Sequence, residues 1–214
     1  TVRRNNIEVA ASHRFCNAAP VTIAIYYGMQ SMFEGETHVL TPGGAYTDWT
    51  EAAKASTFTK QEYPLFRRYV EKNRQGYQST WLLPDGLGDH ALLDGQDDIF
   101  IYAPYGKSYH KLIGNKRMEN GDKTCWRGVY TWFETPVADD ADLLCYEGSA
   151  GGHTAVFIDC KRACKRTLAL PGYLDLRHFG TAEQNGGIRI SAAGRNKLKI
   201  KADAPGSCVL LLRE

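Results

Sequence analysis

Residues 13–28 read HRFCNAAPVTIAIYYG. Two incompatible structures compete for this stretch. A helix beginning near Cys16 would put a thiol at a helix N-terminus, where the backbone dipole activates it as a nucleophile. A strand would leave Cys16 a structural residue. Val21, Ile23, Ile25 and Tyr27 recur at period two, and the run is rich in β-branched and aromatic side chains. That is the strand signature. Wound as a helix, the same four side chains would scatter around the cylinder. Gly28 closes the run. The pattern predicts a strand over 21–27, with Cys16 outside any helix.

Similar short runs recur down the chain: TWLL (80–83), IFIYA (99–103), VYTWF (129–133), TAVFI (154–158), LALPGYLDL (168–176), GIRIS (187–191), KLKIK (197–201) and CVLLL (208–212). Gly and Pro punctuate the gaps, as in sandwiches and barrels. One segment differs. PLFRRYVEKNR (64–74) brings Leu65, Phe66, Tyr69 and Val70 near one helical face, with Pro64 at its start and Gly76 beyond its end. The expected fold is mainly β: an antiparallel β-sandwich of one or two units, with one helix near 64–74. The polar, turn-rich stretch around 104–124 offers a division into residues 1–110 and 111–214, unless all 214 form one domain.

The chain is long enough to bury a full core without staples. A formal net charge of +2 leaves no electrostatic footprint for nucleic acid. Mean hydropathy is −0.40, and no apolar run approaches the roughly 18 residues that span a bilayer.

Six cysteines stand at Cys16, Cys125, Cys145, Cys160, Cys164 and Cys208, with no CxxC pair. The even count beside predicted strands points to disulfides, hence to an oxidising compartment, secreted or periplasmic. Zinc-site spacing is missing.

Three constellations carry possible chemistry. Cys16 with His153, oriented by Asp159 or Asp175, would make a papain-like peptidase or amidase; the strand pattern after Cys16 argues against it. The acidic segment 84–98 holds Asp85, Asp89, Asp94, Asp97 and Asp98 among glycines. It lacks the EF-hand pattern, so calcium is the alternative and no cofactor is the expectation. A second acidic group, Asp139, Asp140 and Asp142, would help calcium only by folding nearby. Finally, APYGKSYHK (103–111) reads as a loop presenting Tyr105, Lys107, Tyr109 and His110. With Trp49 these form a candidate binding surface for a glycan, a surface protein or a membrane component. Against that, any single aromatic ring of a β-protein is more often core. The basic run KRACKR (161–166) reads as a solvated turn.

The opening F15-C16-N17, the alternating segment 21–27 and L40-T41-P42-G43 together resemble small secreted β-sandwich modules. Bacterial DUF1036-type proteins have this opening, and thaumatin-like proteins a looser version. The resemblance covers about 30 residues. It implies an extracytoplasmic β-fold without catalysis and transfers no functional residue. The expected function is therefore a secreted or periplasmic recognition protein. The alternatives are the Cys16/His153 hydrolase and a pore-forming or toxin-like β-protein.

Overall fold

The computed structural model describes residues 2–3, 5–32, 38–40, 46–48, 57–59, 68–83, 99–102, 107–184 and 186–212. These residues form strands and turns, and every described strand pairing is antiparallel. The largest sheet has seven strands: β1 (Val2–Arg3), β2 (Asn6–Arg14), β11 (Lys123–Phe133), β8 (Gly76–Leu82), β7 (Arg68–Asn73), β4 (His38–Leu40) and β5 (Tyr46–Asp48), in that spatial order. A five-stranded sheet follows the order β12 (Ala138–Asp139), β13 (Leu143–Ala150), β14 (His153–Cys160), β19 (Gly206–Leu212) and β16 (Phe179–Gln184). Three smaller units account for the remaining described strands. They are the ribbon of β3 (Val21–Met32) with β10 (Lys107–Met118), the sheet β15 (Cys164–Ala169), β18 (Lys197–Ala202), β17 (Arg189–Ala192), and the pair β6 (Thr57–Thr59), β9 (Ile99–Tyr102).

The layers stack. Val70, Trp81, Val129 and Leu40 of the seven-stranded sheet pack on Tyr146, Phe157, Ala155 and Val209 of the five-stranded sheet, forming the central sandwich. The outer face of the five-stranded sheet packs on the three-stranded sheet through Ile158, Leu210, Leu198 and Ile200. The outer face of the seven-stranded sheet carries the β3/β10 ribbon, joined through Met29, Leu112, Trp126 and Leu82. Strands at the middle of this stack are therefore buried on both faces. β18, on the outside, alternates exposed and buried at every residue, as its KLKIK pattern predicts. Glycines permit close approach between layers. A Cβ at Gly128 would collide with Met29 Sδ of the ribbon, and one at Gly148 would meet Thr131 Oγ1 of the seven-stranded sheet at 3.0 Å. The β13–β14 hairpin turns on Gly151 and Gly152, at φ 59° and 86°, between the paired Ala150 and His153. Two consecutive left-handed residues are what a tight hairpin of this length demands.

The strand predicted over 21–27 is present as part of β3, extended to Met32. The helix predicted near 64–74 is not. Residues 64–67 lie outside the described set, and Arg68–Asn73 is β7, turning through Arg74 and Gln75 into β8. The reason is two-sided burial. Arg68 and Val70 face the five-stranded sheet, while Tyr69 and Glu71 face the ribbon, where Ser31 Oγ donates to Glu71 at 2.6 Å. Charged residues inside a strand hid the period-two signal. The boundary considered at residue 110 falls within β10, and β11 sits in the sheet formed largely by the first half of the chain.

The expected disulfides are also corrected: all six cysteines are free thiols. Cys145 and Cys208 both pair with Ile158 from neighbouring strands, and all three side chains sit in the layer below the three-stranded sheet. Cys160 and Cys164 have Sγ atoms 3.8 Å apart, well beyond the roughly 2.05 Å of a disulfide. These cysteines act as small apolar side chains. Burial pushes the thiols of Cys145 and Cys160 upward, and that of Cys208 to about 12.

Candidate functional site

Two cavities adjoin at one end of the central sandwich. One, of about 690 Å³, lies between the chain after β11, the 169–173 segment and the face of β13. The other, of about 650 Å³, lies beside the β7–β8 turn. Asn5 and Phe133 line both and form the shared wall of this two-cavity groove. β11 ends in Trp132-Phe133, and strand alternation sends these rings to opposite faces. Asn5 fixes their position: its Nδ2 donates to Trp132 O at 2.5 Å, and its own carbonyl accepts from Trp132 N at 2.9 Å.

The groove is aromatic along its floor and carboxylate-bearing along its sides. Phe133 stacks on Tyr77 (centroids 4.8 Å apart, planes at 8°) and on Tyr146 (4.5 Å, 10°). Tyr146 continues the column to Phe157 (4.7 Å, 6°), and Trp81 closes it edge-on. Tyr173 is the most exposed large hydrophobic side chain described, at 68%. Its hydroxyl donates to the Glu147 carboxylate across the first cavity. Glu134 and Gln75 line the second. No Lys or Arg lines either cavity among the described residues.

Beneath the floor lies a buried polar cluster. Arg68 and Asp159 form a two-pronged ion pair at 2.7 and 2.5 Å, with side chains 2% and 3% exposed. Arg68 also donates to Tyr146 Oη at 3.2 Å, and Ser79 Oγ lies 2.7 Å from the same oxygen. Burial pushes the Tyr146 phenol up to about 12, so it stays protonated at neutral pH.

The residues singled out from sequence fall elsewhere. Cys16 is exposed beyond the end of β2, next to no helix. His153 is exposed at the start of β14, lining a third cavity of about 450 Å³ with Arg127 and Trp81; no cysteine lines it. The turn before His153 touches Glu8, through Gly151 N at 3.1 Å. Arg14, two residues before Cys16, lies six residues along β2 from Glu8, about 20 Å. Asp159 is likewise six residues along β14 from His153, about 20 Å, and is held by Arg68. Asp175 pairs with Arg177 and Arg195. The structure thus brings none of Cys16, His153 and Asp159 together.

Trp49, Tyr105, Asp85, Asp89, Asp94, Asp97 and Asp98 lie outside the described residues. Lys107, Tyr109 and His110 belong to strand β10, not a loop. His110 is 1% exposed and lies against Tyr69 (5.2 Å between rings), so it offers no surface contact. Asp139, Asp140 and Asp142 are taken up by cations: Lys72 and Lys161 hold Asp139, while Arg162 and Arg166 hold Asp142 and Arg166 also holds Asp140. KRACKR is therefore an internal partner of these carboxylates. Among the described residues, no three potential ligands converge as a metal site would need.

Of the groove residues, Trp132 stood among the aromatics visible in sequence. Asn5, Gln75, Phe133, Glu147 and Tyr173 come from segments far apart in the chain, and no local motif joins them. No protein-family model matches the chain, and neither a curated protein nor a solved structure matches it.

Proposed function

We propose that this protein is a carbohydrate-recognition protein and that its ligand lies in the groove over Phe133. One observation carries the reading: two cavities share the wall formed by Asn5 and Phe133, with the exposed Tyr173 ring at the first and Gln75, Glu134 and Glu147 among their linings. Sugar rings present apolar C–H faces and peripheral hydroxyls. Aromatic side chains take the faces, and carboxylates and amides take the hydroxyls. Two adjoining surface cavities suit an oligosaccharide better than a compact metabolite.

The test is binding to an array of oligosaccharides, repeated with Tyr173→Ala, which removes the exposed ring at the first cavity, and with Trp132→Ala, whose ring stacks on Tyr130 on the opposite face of β11. The reading expects retained ligands, a five- to tenfold weakening in Tyr173→Ala, about the worth of one ring stack, and a smaller change in Trp132→Ala. It fails if no oligosaccharide is retained, or if Tyr173→Ala binds unchanged.

The pore-forming alternative has its own observation. The outward side of the β3/β10 ribbon leaves Val21, Ile25 and Tyr27 at 39%, 52% and 38% exposure. Leakage of dye from liposomes would favour it. Intact liposomes at protein concentrations that saturate the array would remove it.

A further inference from the structure

Charge, more than shape, distinguishes this groove. The chain carries a formal net charge of +2, yet the groove is lined by Glu134 and Glu147 with no basic side chain among the described residues. Glu147 is half-buried in β13, at the wall of the first cavity, and Tyr173 donates its hydroxyl to one of its oxygens. A carboxylate has two oxygens and about four acceptor positions, so this contact leaves Glu147 able to accept further hydrogen bonds. The nearby cations point elsewhere. Lys72 Nζ sits 5.1 Å over the Tyr77 ring and donates to Asp139 at 2.6 Å; Lys161 also donates to Asp139. An acidic sugar would meet two like charges here. A neutral sugar would leave the carboxylates to water. A protonated amine would gain a charge-assisted hydrogen bond at Glu147 and the electron-rich ring of the exposed Tyr173 beside it.

We infer that the groove selects amino sugars bearing a free ammonium group, with Glu147 as the residue that reads it. This rests on the carbohydrate reading of the groove. Selection belongs to Glu147 more than Glu134, because Glu134 is exposed and its charge is screened by solvent.

The experiment is calorimetric titration of the whole protein with three probes of equal length: glucosamine, N-acetylglucosamine and galacturonate oligomers. It is run near pH 6, where the sugar amines are protonated. The glucosamine oligomer should bind about two- to fivefold more tightly than the N-acetylated one, as one partly exposed charge pair supplies, and the galacturonate oligomer most weakly. Glu147→Gln keeps the shape and the Tyr173 contact. It should erase the preference, bringing the glucosamine oligomer down to the affinity of the N-acetylated one measured on the same variant. The preference should also disappear near pH 9, as the amine loses its proton, and weaken in high salt. Equal binding of the amine and its acetylated form would overturn the inference and leave the carbohydrate reading standing. Tightest binding of galacturonate would overturn it too. Failure of all three oligomers to bind would remove both. Preference retained in Glu147→Gln would move the selecting group away from Glu147 and so refute the assignment.

Discussion

Phe133 lies parallel to Tyr146, with ring centroids 4.5 Å apart and planes at 10°. One ring belongs to the groove floor and the other is fully buried. The same stack thus supports both the surface site and the packing between the two large sheets. The first prediction follows. Phe133→Ala should destabilise the protein by about 2–3 kcal/mol, the low end for a lost ring because Phe133 is only half-buried. Phe133→Leu should restore part of the stability, since it refills volume without restoring the parallel stacks on Tyr77 and Tyr146. Urea unfolding reads both variants. A change below about 0.5 kcal/mol in Phe133→Ala would contradict the stacking role.

The Arg68–Asp159 pair is a structural element of the core. Removing one partner leaves the other charge buried alone, so Asp159→Ala should cost about 3–5 kcal/mol. Replacing both partners by apolar residues, Arg68→Met with Asp159→Leu, should cost much less than the sum of the single changes. A double-mutant cycle with no coupling would refute the pairing. The same cycle separates this role from that of an imidazole-orienting carboxylate, which would leave stability nearly unchanged when lost.

Acid should loosen the seam between the large sheets. Burial alone would raise the pKa of Asp139, but hydrogen bonds from Lys161, Lys72 and Tyr77 outweigh it and hold the carboxyl below its usual value. A depressed folded pKa means that the unfolded chain takes up the proton first as pH falls. The stabilisation is therefore complete above the ordinary carboxylate range, about pH 4, and is lost as pH drops through the folded value. Asp140 is shifted the same way, with backbone hydrogen bonds from Asp142 and Leu143 and a contact from Arg166 overcoming a burial effect. Stability by urea unfolding should be nearly flat from pH 7 to pH 5 and fall below pH 4. Asp139→Asn should lower stability at pH 7 by about 1–2 kcal/mol, allowing for solvent around Lys72, and should flatten the fall. An acid limb unchanged in Asp139→Asn would disprove this assignment.

Thiol chemistry tests the correction to the cysteines. Without reductant, an alkylating reagent should modify exposed Cys16 first. Cys145, Cys160 and Cys208, each at most 1% exposed, should react only after unfolding. All six should then carry label by mass spectrometry. Thiols that label only after reduction would restore the disulfide reading.

Much of the fold was legible because period-two patterns survive wherever one face meets solvent. KLKIK became β18, and VTIAIYY opened β3 because the ribbon lies on the outside of the stack. The pattern failed where both faces are covered. In β7, Arg68 and Glu71 are buried by pairing with Asp159 and Ser31, so a strand read as an amphipathic helix. Cysteine count misled for a related reason. Cys145 and Cys208 serve as small core side chains flanking Ile158, a role that sequence spacing cannot distinguish from bridging. The groove was least legible. Its residues gather from the turn before β2, the β7–β8 hairpin, the end of β11, β13 and the 169–173 segment, and only the topology places them together.

The most direct measurement of the central claim is a crystal structure of the protein soaked with a glucosamine oligomer. The account predicts sugar rings along the groove, one of them against Tyr173 and an amine within hydrogen-bond distance of Glu147. An empty groove, with the oligomer bound elsewhere or absent at saturating concentration, would contradict it.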